Sequence, residues 1–156
     1  MIEDVSTLPA AYVLVVDDDE GILRLARKSL ERAGCRVAIC ASVEAAHERL
    51  GAGGPDLLVL DYQLSGPETG LDFFRRLRAE GVRIPAILVT GFTDESRVIE
   101  ALRAGVSDVV PKSGEYLNYL QKKSVADNPR LRDDLHRGQD HFIISPSLRS
   151  TNSSYE

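Results

Sequence analysis

No stretch of this 156-residue chain offers the roughly 20 consecutive apolar residues that a membrane-spanning helix needs. A basic surplus is also missing. Lysine and arginine number 19 against 24 aspartates and glutamates, for a net charge of −5. Proteins that grip nucleic acid or an anionic membrane usually neutralise phosphates with a basic face, so neither is expected as a partner. Cysteine is scarce: Cys35 and Cys40 match no metal-ligand spacing and are expected as small apolar core residues in a reducing setting. The opening residues, MIEDVSTLPAAYVLVVDDDE, carry no basic segment ahead of the apolar run, and that run ends in acids. No signal peptide is therefore expected, and the expected location is cytoplasmic. Internal repeats are absent as well.

What the chain does have is a composition of 43% apolar and 28% charged residues, which suits one soluble globular domain with a sizeable core. Short apolar runs alternate with helical patterns, the mark of a parallel sheet covered by helices. YVLVV at 12–16 is a buried-strand run stopped by three aspartates. Ile22, Leu23, Leu25, Ala26, Leu30 and Ala33 then recur at helical spacing, and Gly34 closes that helix. A strand from Val37 to Cys40 precedes a helix near 43–50 that Ser42 can cap. LLVL at 57–60, a helix at 70–79, AILVT at 86–90, a helix from about 94 to 104, DVV at 108–110 and a helix starting near Glu115 complete five β/α units. The class is α/β, and the count fits a doubly wound, five-stranded parallel sheet of order 2-1-3-4-5, although pattern alone does not fix that order. Residues 11–123 are expected to form the domain. Residues 124–156 read as a polar extension, in part disordered, with a short helix near 130–137 and an extended HFII segment at 141–144 as its ordered candidates.

The informative feature is what stands at the strand ends. Asp17 and Asp18 follow the first strand, Asp61 the third, Thr90 the fourth and Lys112 the fifth. In an open parallel sheet the carboxyl ends of the strands share one edge, and ligands bind there, where strand order reverses. Three carboxylates, a hydroxyl and an ammonium are thus expected in one site. Clustered carboxylates raise one another's pKa unless a cation joins them, and hard oxygen donors suit Mg²⁺. Asp17 and Asp18 are assigned to the metal, with Asp61 and the backbone carbonyl of Gln63 as further ligands. Asp61 is the expected nucleophile, Lys112 and the metal the charge stabilisers, and Thr90 the hydroxyl that detects a phosphoryl oxygen. Each residue alone has a plain structural role: an aspartate triplet often caps a helix, and a lysine beyond a strand is often a surface charge. The ordered set carries the inference.

VLVVDDDE, LLVLDYQL, ILVTG and DVVPKSG together resemble the segments that carry the acidic pair, phosphoacceptor, switch hydroxyl and lysine of response-regulator receiver domains. The resemblance spans about residues 11–120. It implies a flavodoxin-like receiver fold, phosphorylation of Asp61 with Mg²⁺ as cofactor, and a signalling switch rather than an enzyme acting on other substrates. It also implies a sensor histidine kinase or phosphotransfer protein as donor, and an output face across residues 94–123 that binds a partner or forms a homodimer. Asp19 would stand outside the metal's ligand set, while Gln63 and Phe92 would tune the lifetime of the acyl phosphate, bulky Phe92 by shielding it. Three departures stand out. Pro111 precedes Lys112 where such domains commonly have the reverse order, Val109 replaces an aromatic, and SGPETG at 65–70 is about one residue longer than usual.

Two other readings compete. VVDDDE also offers Asp17 and Asp19 as the nucleophile and acid/base of a haloacid-dehalogenase-like phosphatase, but that leaves Asp61 without a role and lacks acids after the lysine's strand. The fold could also serve as a phosphorylation-independent binding module, against which the complete set of acids, threonine and lysine argues.

Overall fold

The computed structural model describes residues 10–91, 94–113 and 116–126. Five strands and five helices alternate through them: β1 (Tyr12–Val16), α1 (Glu20–Arg32), β2 (Arg36–Cys40), α2 (Val43–Gly51), β3 (Leu57–Asp61), α3 (Gly70–Ala79), β4 (Ala86–Thr90), α4 (Glu95–Ala104), β5 (Asp108–Pro111) and α5 (Tyr116–Ala126). All strand pairs are parallel, and the order is β2-β1-β3-β4-β5, as expected.

Successive side chains of a strand point to opposite faces, so a strand covered on both sides is apolar throughout. Leu14, Val16, Leu58, Leu60, Leu88 and Val109 face one layer, where α2, α3 and α4 bring Ala46, Phe73, Phe74, Leu77 and Ala101. Val13, Val15, Leu57, Val59, Ile87, Val89 and Val110 face the other, where α1 and α5 bring Leu23, Ala26, Leu30, Tyr116 and Leu120. Cys35 and Cys40 are free and buried, one in each layer, as their small apolar character suggested.

The helices start where the sequence supplies caps. Asp19, Ser42 and Asp94 each accept a backbone N–H of the first turn with their side chain, and Thr69 and Asp72 close a reciprocal capping box. Some boundaries differ from expectation. Arg36 belongs to β2 because its N–H donates to the Ala11 carbonyl at 2.8 Å. Asp61 is the last residue of β3 rather than the first beyond it, paired in register with Val89. α5, expected to start near Glu115, runs from Tyr116 to Ala126. The short helix near 130–137 and the HFII segment lie outside the described residues.

Candidate functional site

The register brings the sequence-expected acids together. Val16 pairs with Leu60, so Asp17 and Asp61 stand level at the ends of adjacent strands. Asp17 and Asp61 are buried and Asp18 is exposed; one carboxylate oxygen from each lies within 4.8 Å of the others. Lys112, just past β5, reaches across: its Nζ donates to Asp61 Oδ2 at 2.9 Å and lies 2.9 Å from Asp17 Oδ2. Thr90 is buried at the end of β4, and its carbonyl accepts the Lys112 N–H at 2.8 Å. The lysine is therefore anchored by its backbone to the strand that bears the threonine.

The Pro111–Lys112 order does not break this geometry. Pro111 pairs with Thr90 as the last residue of β5, which needs no N–H from proline there, and Lys112 then turns into the site. Val109 is packed into the core beside α4. Gln63 lies exposed on the loop two residues past Asp61. Phe92 is outside the described residues.

The electrostatics follow from the crowding. Burial pushes the Asp61 carboxyl up to about 6; the Lys112 hydrogen bond opposes this, and the charge of Asp17 adds to it. For Lys112 burial favours the neutral form, but the two carboxylates together outweigh it and hold the ammonium above its ordinary range. Three carboxylates around one ammonium leave the cluster short of positive charge. All its donors are hard oxygens, so these residues fit a small divalent cation of the Mg²⁺ kind. A carboxylate held between such a cation site and an ammonium is chemically suited to attack a phosphoryl group.

Three residues at the site escaped the sequence reading. Ser65, on the β3–α3 loop, donates its hydroxyl to Asp18 Oδ2 at 2.9 Å. Gly70 opens α3 hard against β3: a Cβ there would stand 2.1 Å from the Asp61 carbonyl oxygen, and the Gly70 N–H donates to the Tyr62 carbonyl at 2.7 Å. Tyr116, at the start of α5, is buried, and its phenol is pushed up to about 12 by burial and then by the charge of Asp17. An aromatic four positions beyond the lysine is the one sequence signal that could have pointed to it. Asp19, by contrast, takes the helix-capping role that an aspartate triplet allows. It stands beside the cluster, its N–H donates to Asp17 Oδ1 at 2.9 Å, and its own carboxylate caps α1.

The family model for the response regulator receiver domain matches residues 13–122. Among curated relatives, the transcriptional regulatory protein AfsQ1 of Streptomyces coelicolor is 34% identical over 140 residues, covering 88% of this chain and 57% of the relative. The alkaline phosphatase synthesis transcriptional regulatory protein PhoP of Bacillus subtilis is 32% identical over 144 residues, covering 92% of this chain and 55% of the relative. The chain thus spans about half the length of the curated relatives it matches. Among solved structures, the Francisella response regulator 1452 receiver domain matches 77% of this chain and 98% of its own with a TM-score of 0.70 at 22% identity. A CheY-like receiver domain protein from Methanospirillum hungatei gives 0.67 over 78% and 99%, also at 22% identity. At that identity the likeness concerns the fold. The expectation of no nucleic-acid partner finds no support here, because these relatives are transcriptional regulatory proteins by name. Among the described residues no helix is long and apolar enough to cross a membrane.

Proposed function

Since the chain belongs to the response regulator receiver domain family, whose members act as signalling switches, we propose that it takes a phosphoryl group onto Asp61 from a phosphohistidine of a sensor kinase or phosphotransfer protein. The bond from the Asp61 oxygen to phosphorus forms as the phosphorus–nitrogen bond breaks, and the imidazole leaves. Asp17, Asp18, Asp61 and the Gln63 carbonyl would hold Mg²⁺, which would supply positive charge beside the transferring group. Lys112 provides the second positive charge, and its bond to Asp61 orients the carboxylate before transfer. The Thr90 hydroxyl donates to a phosphoryl oxygen once one is present. The observation that carries this reading is the Asp17–Asp18–Asp61 cluster with Lys112 bridging two of its members.

Phosphorylation adds roughly two negative charges at Asp61. Drawing in Thr90 and Lys112 shifts the loops after β4 and β5, so the face of α4, β5 and α5 reads out the state to a partner or a second copy. A shift of this kind can be no larger than the difference in contacts between the two states. The phosphatase reading is disfavoured because Asp19, its acid/base, is committed to capping α1. The test is Mg²⁺-dependent uptake of phosphoryl from a small-molecule donor, lost in Asp61→Asn.

A further inference from the structure

The acidic cluster has one member that the fold does not enclose. Asp17 and Asp61 are buried and share Lys112, whereas Asp18 is exposed on the β1–α1 loop. An exposed aspartate samples several rotamers, and a cation must then order it on binding, at a cost in free energy. Here a residue from a different loop reaches it: Ser65 Oγ donates to Asp18 Oδ2 at 2.9 Å across 47 positions of sequence. We propose that Ser65 is a positioning residue of the cation site, holding the Asp18 carboxylate ready for the metal. This rests on the reading of the cluster as a Mg²⁺ site.

Both ends of the Ser65–Asp18 bond are attached to pinned backbone. Before Ser65, Leu64 is buried in the core layer shared with α2, α3 and α4. After it, Gly66 takes a left-handed φ of +107°, which turns the loop away. Further on, Thr69 caps α3 and the Gly70 N–H donates to the Tyr62 carbonyl, which closes the loop back on the end of β3. On the other side, the Asp17 carboxylate accepts the Asp19 N–H, and Asp19 caps α1. Asp18 therefore lies between two residues whose positions are fixed, and the serine hydroxyl fixes its side chain in turn. A hydroxyl gives one proton to one of about four lone-pair sites on a carboxylate, so the remaining sites stay available to a cation. The bond also ties together the two loops that carry Asp18 and Gln63. Residues that orient metal ligands in this way commonly change affinity by about 10- to 100-fold, and an exposed serine belongs at the lower end.

The experiment is calorimetric titration of the metal-free, unphosphorylated full chain with Mg²⁺. Wild type, Ser65→Ala, Ser65→Thr, Asp18→Asn and the Asp18→Asn/Ser65→Ala double variant are compared, with melting temperatures in chelator alongside. Ser65→Ala is expected to weaken Mg²⁺ binding by about tenfold with its metal-free melting temperature unchanged. Ser65→Thr, which keeps the hydroxyl, restores the affinity, and removal of Ser65 adds nothing once Asp18 is Asn. Equal or tighter binding by Ser65→Ala, beside a wild type that binds and an Asp18→Asn that binds more weakly, overturns the role of Ser65 alone. So does a loss matched by an equal loss on the Asp18→Asn background. A wild type that takes up no Mg²⁺ overturns the cation-site reading, and this inference falls with it.

Discussion

Lys112 is bonded to the Asp61 carboxylate at 2.9 Å, and the same ammonium lies equally close to Asp17. One ammonium thus pairs with two buried acids at once. Removing it leaves those carboxylates facing each other in a partly desolvated pocket. Lys112→Met is expected to destabilise the metal-free protein by about 1–3 kcal/mol at pH 7.5, less than for a fully buried pair because the lysine is partly exposed. Urea unfolding in chelator measures this, and added Mg²⁺ should recover part of the loss.

The acceptor itself lowers stability while it is ionised. Its folded-state pKa of about 6 lies above the ordinary 3.8, chiefly because it is buried. The folded state therefore holds the proton more tightly than the unfolded chain. Stability from this group is fully present below pH 3.8 and is lost as pH rises through about 6. Asp61→Asn does not titrate, so its advantage in chelator should grow between those values and level off above them. At pH 7.5 the gain is expected to be on the order of 2 kcal/mol, read from melting curves taken across the pH range.

Gly70 marks the closest approach between a helix and the acceptor strand. The methyl group of Gly70→Ala would have to displace the Asp61 backbone, since its Cβ would sit 2.1 Å from that carbonyl oxygen. The expected cost is about 2–3 kcal/mol or more, together with slower phosphorylation of Asp61. Gly51→Ala, at a helical position with open space around it, serves as the control and should be neutral or slightly stabilising. Denaturant melts and phosphorylation rates of both variants make the comparison.

Thr69 anchors the same helix through its capping box with Asp72. Thr69→Ala is expected to cost about 1 kcal/mol. Because the cap sits at the end of the loop that carries Ser65, hydrogen exchange of the Gly70 and Leu71 amides should quicken in the variant. Exchange unchanged from wild type would show that the cap does not hold the loop.

Much of the fold was legible because parallel strands buried on both faces are apolar at every position. YVLVV, LLVL and AILVT admit few other readings, and the cap at Ser42 marks a helix start directly. Arg36 was missed as a strand residue because its side chain is exposed and stacks over the Tyr12 ring, while only its backbone joins the ladder. The proximity of Asp17, Asp18, Asp61 and Lys112 was legible because topology converts spacing into nearness. Ser65, Gly70 and Tyr116 were not. A serine in a polar loop has no periodic signature. A glycine at a helix start shows its reason only when the neighbouring strand is in place, and Tyr116 reads as one more apolar position on α5.

The most direct test of the central claim is intact mass after incubation with acetyl phosphate, with and without Mg²⁺, for wild type and Asp61→Asn. The expected result is a gain of one phosphoryl group in wild type that requires Mg²⁺ and is absent in the variant. A wild type that gains nothing, or a gain that survives Asp61→Asn, would contradict the assignment of Asp61 as the phosphoacceptor.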